Sequence, residues 1–237
     1  MSTTTSAQPL APSLATARVR WALVGVPAFA IGWATASAVG EVVGEAWGGD
    51  FLHQLGHALG TTLHIGLLSL AGWIALRGRV PWASRWALAA TVGAAVGLAV
   101  FVPVLTFAVD ALGWLTIALT LHLPLAASAV TQAVVLRGHA RRPGRWAVVW
   151  YVAVLAGIAV AWFSSGGVSG LHVDAVHPIL PNAAELWWRI MPQCLLGGIC
   201  YAAFAFVLPL ASGRRSLPSP DRDRKSSDQS FRERTSR

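Results

Sequence analysis

The sequence predicts an all-α integral membrane protein, a six-helix bundle made of three parallel transmembrane hairpin repeats. Three observations predict it: long apolar runs without charge, a phrase that returns three times, and arginines confined to alternate links. The chain has 237 residues, 55% of them hydrophobic and only 12% charged, and its mean hydropathy is +0.57. A water-soluble domain of this size could not bury so much apolar surface. A helix crossing ~30 Å of hydrocarbon needs about 20 residues. Six runs meet that length, at 20–39, 55–76, 86–109, 113–136, 146–163 and 190–211. They are continuous rather than alternating, which makes a membrane β-barrel a poor alternative.

The repeated phrase opens every second run. It reads Arg20-Trp21-Ala22, Arg85-Trp86-Ala87 and Arg145-Trp146-Ala147. A Gly-x-Ala follows at a fixed distance each time, as Gly32/Ala34, Gly97/Ala99 and Gly157/Ala159. The period of about 60 residues marks one unit copied three times, over roughly 18–80, 81–140 and 141–212. All copies run in the same direction, so the bundle has rough threefold pseudosymmetry about the membrane normal. The Trp at each start is expected at the lipid headgroup level. The small residues midway along each outgoing helix are expected to let a neighbouring backbone come close, since lipid gives helices no hydrophobic reason to associate. Pro27, Pro103 and Pro124 lie inside spans and are expected to kink them or to be tolerated there.

Of the 18 basic residues, all but Arg189 lie in the N-terminal tail, the 77–85 link, the 137–145 link or the C-terminal tail. Outside the C-terminal tail the acids are Glu41, Glu45, Asp50, Asp110, Asp174 and Glu185, all in the other set of links. The positive-inside bias then puts both termini in the cytoplasm and the acidic links outside. The preference for Arg over Lys and the excess of Ala suggest a bacterial cytoplasmic (inner) membrane. The net charge of +8 belongs to this topology and implies no nucleic acid. Residues 1–17 read as a disordered tail. Residues 213–237 read as a second, basic one that can lie on anionic lipid. Cys194 and Cys200 share one helix and cannot pair within it.

The outer links differ most between copies. The second is nearly absent, and the first (40–54) and third (164–189) are longer, so a site is expected there. His53, His57, Gly60 and His64 fall on one helical face. The i,i+4 pair His53 and His57 suits one zinc or copper ion, with a further ligand drawn from Glu45, Asp50, His172, Asp174 or His177. His64 lies too deep to share that ion. It sits at the same depth as His122, and the two could ligate a haem, relay protons, or simply tie helices together. Gln132 is a further buried polar group, expected to link helices.

His53 to Leu59 resembles the H-E-L-G-H-A-L signature of intramembrane zinc metalloproteases. That resemblance implies two His ligands and a Glu general base. Gln54 stands at the position of the Glu, and an amide cannot take the proton. No nucleophile elbow, phosphate loop or dinucleotide fingerprint is present. Over 18–215 the chain resembles a diffuse group of bacterial polytopic membrane proteins built from repeated hairpins. Their returning helices end hydrophobic-Leu-Arg-Gly, as at Leu76-Arg77-Gly78 and Leu136-Arg137-Gly138, often with a Gln nearby, here Gln132. That resemblance implies no activity.

The functional expectation is a non-enzymatic membrane protein that binds or passes a small solute at the outer opening of the bundle. Two alternatives stand beside it: a scaffold subunit of a larger membrane complex, and a metal or haem protein that uses the histidines. The expected partners are the lipid bilayer and, in the scaffold case, another membrane protein. No motif calls for a cofactor.

Overall fold

A computed structural model describes residues 14–47, 50–78, 80–112, 114–139, 142–164 and 179–207. They form six helices: α1 (Leu14–Trp47), α2 (Asp50–Leu76), α3 (Ala83–Leu112), α4 (Trp114–Leu136), α5 (Pro143–Ser164) and α6 (Ile179–Val207). Five of them, α1 to α5, are long and apolar enough to cross a membrane. The first half of α6 carries Asn182, Glu185 and Arg189 among its apolar residues.

Each helix packs against the next in sequence, and α6 returns to pack against α1, so the six close into a ring. Contact between α2 and α4 braces one side. The hairpin turn after α2 follows from its Leu-Arg-Gly ending. Arg77 N–H bonds to the Trp73 carbonyl at 2.7 Å, and Gly78 takes a left-handed φ of 78° that a side chain would strain.

The helices run beyond the apolar runs. α1 starts at Leu14, and its far end reaches Trp47. With α2 beginning at Asp50, the expected 40–54 link is almost wholly helical. The reason is the close meeting of α1 and α2 in this stretch: the Cα of Gly40 lies 3.1 Å from where a Cβ of Gly56 would stand. Two helices this close stabilise each other past the apolar zone. The expected 164–189 link is shortened likewise, because α6 begins at Ile179 and holds Glu185 and Arg189 within its helix. Ala183-Ala184-Glu185-Leu186 are strong helix formers, and Pro181 sits in the first turn, where its missing N–H has no helical partner to lose.

The tryptophans turn into the bundle rather than toward lipid. Trp21, Trp86 and Trp146 are buried and meet one another, with ring centroids 5.8 Å (Trp21–Trp86), 6.5 Å (Trp21–Trp146) and 6.3 Å (Trp86–Trp146) apart. The two pairs that involve Trp146 are edge-to-face, the favourable quadrupole arrangement. Gly72 makes room for this cluster, since a Cβ there would strike Trp86 at 2.5 Å. The indoles therefore fill the interior at the arginine end of the bundle. The arginines beside them stay at or near the surface while the rings turn inward.

Small residues make the other crossings. A Cβ at Gly97 would meet the Leu123 carbonyl oxygen at 2.5 Å, and one at Gly157 would meet the Gly197 oxygen at 2.8 Å. Hydroxyl groups are satisfied along the helices, as in Ser69 Oγ donating to the Ile65 carbonyl at 2.7 Å. Thr131 also donates across a crossing, to the Ala89 carbonyl of α3 at 2.7 Å. Pro27, Pro103 and Pro124 lie inside helices as expected, and Pro192 joins them in α6.

Trp86→Ala is expected to lower unfolding stability in detergent by about 3 kcal/mol, because it leaves a cavity among packed rings. Reversible SDS titration followed by circular dichroism measures it. A loss below about 0.5 kcal/mol, the level typical of substitutions away from packed features, would place the ring outside the core.

Candidate functional site

The polar chemistry gathers where α1 and α2 meet, at the end of the bundle away from the Arg-Trp-Ala starts. The three histidines of α2 face α1, and each lies over a glycine. A Cβ at Gly44 would collide with His53 Nδ1, and one at Gly40 with His57 Nδ1. One at Gly32 would stand 2.5 Å from His64 Nδ1. Between them, Gly60 meets the backbone of Ala36, with its Cβ position 2.5 Å from the Ala36 oxygen. The rungs recur every three or four residues on both helices, which is the repeat of an antiparallel seam. Glycine is needed at these α1 positions because a side chain would occupy the volume of the imidazoles.

At the head of the seam, His57 Nε2 lies 3.1 Å from His53 Nε2 and 3.9 Å from Glu41 Oε1. One ligand atom from each of Glu41, His53 and His57 falls within 4.8 Å of the others. All three residues are half-buried; the side chains of His57 and Glu41 keep 31% and 20% of their exposure. The His53–His57 hydrogen bond needs one Nε2–H and one bare Nε2, so both lone pairs cannot be free at once while it persists. Two nitrogens and a carboxylate oxygen form a donor set suited to a borderline transition-metal ion.

Glu41 was not among the residues expected here, although His53 and His57 were. A signal was present in the sequence: Gly40 and Gly44 are four apart, the spacing of a close-packed face, and Glu41 adjoins it. Of the other ligands expected, Glu45 lies in α1 and Asp50 opens α2, with side chains outside the described residues. His172, Asp174 and His177 lie wholly outside them.

Gln54, which breaks the protease-like signature, is used elsewhere. Thr120 Oγ1 donates to Gln54 Oε1 at 2.8 Å, tying α2 to α4. The amide thus serves helix packing rather than the imidazole pair.

The structure gives His64 and His122 different neighbours. His64 is fully buried, edge-on to Phe29 at 4.8 Å and to Trp33 at 5.7 Å, and among the described residues neither ring nitrogen has a hydrogen-bond partner. His122 Nδ1 shares a hydrogen bond of 2.5 Å with Tyr151 Oη, linking α4 to α5. Gln132 is fully buried, and its Nε2 donates to Ser128 Oγ at 3.2 Å.

A search of protein-family models, of curated proteins and of solved structures finds no match to this chain. The functional reading therefore rests on the chain's own residues.

Gly32→Ala is expected to destabilise the protein, since its methyl would contact His64 Nδ1. In a His64→Ala background the same change should cost far less. A double-mutant cycle read by SDS unfolding should give a coupling of about 1 kcal/mol or more. Additive losses would mean that the two positions do not touch.

Proposed function

We propose that this is an integral membrane protein of three hairpins that binds a small solute from the extracytoplasmic side, at the open end of the α1–α2 pair. The observation that carries the reading is the gathering of Glu41, His53 and His57, half-buried, at the end away from the Arg-Trp-Ala starts. Two imidazoles and a carboxylate brought together from facing helices, with partial access to solvent, are the groups a polar solute or ion would be held by.

The hairpin triplication draws support from equivalent contacts. Trp21, Trp86 and Trp146 open three helices and meet in one cluster. Gly32, Gly97 and Gly157 hold matching places, and each abuts the returning helix of its own hairpin, at His64, at Leu123 and Pro124, and at Gly197. The arginines at the ends of these hairpins support a cytoplasmic location for both termini.

Binding is favoured over passage. The indole cluster fills the interior at the arginine end, and midway along, Phe29 lies fully buried against His64 and Tyr201. A solute that reaches Glu41 from outside meets packed aromatic rings below.

In a background with Cys194 and Cys200 changed to Ser, Glu41→Cys is expected to react with a membrane-impermeant maleimide in intact cells, while Arg77→Cys reacts only after the membrane is opened. The reverse pattern would invert the topology and remove this reading.

A further inference from the structure

We propose that the solute of this site is a divalent metal ion of the zinc class, held by His53 Nε2, His57 Nε2 and a Glu41 carboxylate oxygen, with one coordination position left open. This rests on the reading of the α1–α2 end as a solute site and adds the identity of the solute.

The donor set selects the ion class, because two imidazoles and a carboxylate suit zinc, whereas cuprous ions favour sulfur ligands. At a metal–nitrogen distance of about 2.0 Å, tetrahedral coordination puts two ligand nitrogens roughly 3.3 Å apart. In the ion-free, hydrogen-bonded pair His53 Nε2 and His57 Nε2 are 3.1 Å apart, so capture of a tetrahedral ion asks little movement of the rings. Glu41 Oε1 lies 3.9 Å from His57 Nε2, and one ligand atom from each of the three residues lies within 4.8 Å of the others, so a rotation of the Glu41 side chain toward the two nitrogens would complete a three-ligand set.

The ligands are placed by the seam rather than by loops. His53 and His57 are one turn apart on α2, and Glu41 projects from α1 beside Gly40. The two glycines admit the imidazole edges against the α1 backbone, which fixes the rings while Nε2 of each points to the other. Gly40 and Gly44 are therefore positioning residues for the metal. A methyl at either position would push a ring away from the shared point without removing a ligand.

Three protein ligands leave the fourth position of a tetrahedral ion to water or an incoming group, the arrangement of exchangeable rather than structural zinc. The partial exposure of His57 and Glu41 gives that position access to solvent. With Gln54 bonded to Thr120, no base on α2 adjoins the ion at the position the protease-like signature requires. The site accordingly captures or senses an ion and does not hydrolyse peptides.

The test uses the full-length protein purified in detergent, stripped with chelator, and titrated with Zn²⁺ alone by calorimetry. Co²⁺ replaces Zn²⁺ in a parallel sample for its visible spectrum. The expected result is one Zn²⁺ per chain and the intense visible bands of tetrahedral Co²⁺. His53→Ala and His57→Ala should each weaken binding by about tenfold or more, Glu41→Gln should weaken it less, and His122→Ala should leave it unchanged. Gly44→Ala should weaken binding with all three ligands present. If a histidine variant fails to fold, the wild-type Co²⁺ spectrum decides. Tetrahedral bands uphold the site, and a weak octahedral spectrum overturns it. Absence of stoichiometric zinc, or zinc binding indifferent to both histidines, also overturns it. Maleimide labelling at position 41 from outside, together with no zinc binding, would spare the outward-facing solute site and remove only the metal.

Discussion

Close approach of helix backbones at glycine is the constraint on which the rest of this structure depends. In hydrocarbon, apolar side chains gain nothing by leaving lipid for one another, so helices must find cohesion in packing and in hydrogen bonds across their crossings. Gly32, Gly40, Gly44, Gly56 and Gly60 bring α1 and α2 together. Gly93 and Gly97 do the same for α3 against α4, and Gly157 and Gly197 for α5 against α6. The candidate site is a by-product of one such crossing. Three imidazoles occupy space that glycines on the facing helix leave open.

The interior of the bundle is built from large rings at the levels where those glycines leave room. The Trp21–Trp86–Trp146 cluster closes the arginine end, and Phe29 touches both His64 and Tyr201 deeper in. Such rings are held at several contacts each, so the interior is filled at these two levels.

Much of the architecture was legible in the sequence because its signals are one-dimensional. Apolar runs gave the six helices, and the repeated Arg-Trp-Ala marked three of the starts. The Gly-x-Ala positions marked crossings that Gly32, Gly97 and Gly157 do make. What differed were the direction of the tryptophan rings and the helix ends. The indoles were expected beside lipid headgroups because tryptophan favours that layer, but a ring one residue from an interfacial arginine can equally turn inward when its neighbours are aromatic. Helix ends were misread because polar residues such as Glu41 and His53 look like loop when the partner helix is not in view. The pairing of His53 with His57 could be read from their spacing. Glu41 is marked only by its place beside the Gly40/Gly44 face, since its nearness to the histidines depends on the register between α1 and α2. Gln54 looked like a damaged catalytic position until its bond to Thr120 gave it a different role.

The seam between α1 and α2 is the most direct point at which to test this account. The Cβ of His53 lies 3.1 Å from where a Cβ at position 44 would stand, roughly half an ångström inside the range of disulfides, so a modest outward shift would allow a bond. With Cys194 and Cys200 replaced by Ser, Gly44→Cys combined with His53→Cys, which removes the imidazole that a side chain at position 44 would strike, should form an internal disulfide on mild oxidation in native membranes. Both thiols would then resist a polyethylene glycol maleimide until reduced. Two thiols that remain reactive after oxidation would mean that these helices do not meet along the glycine seam, and the placement of His53, His57 and Glu41 would fall with it.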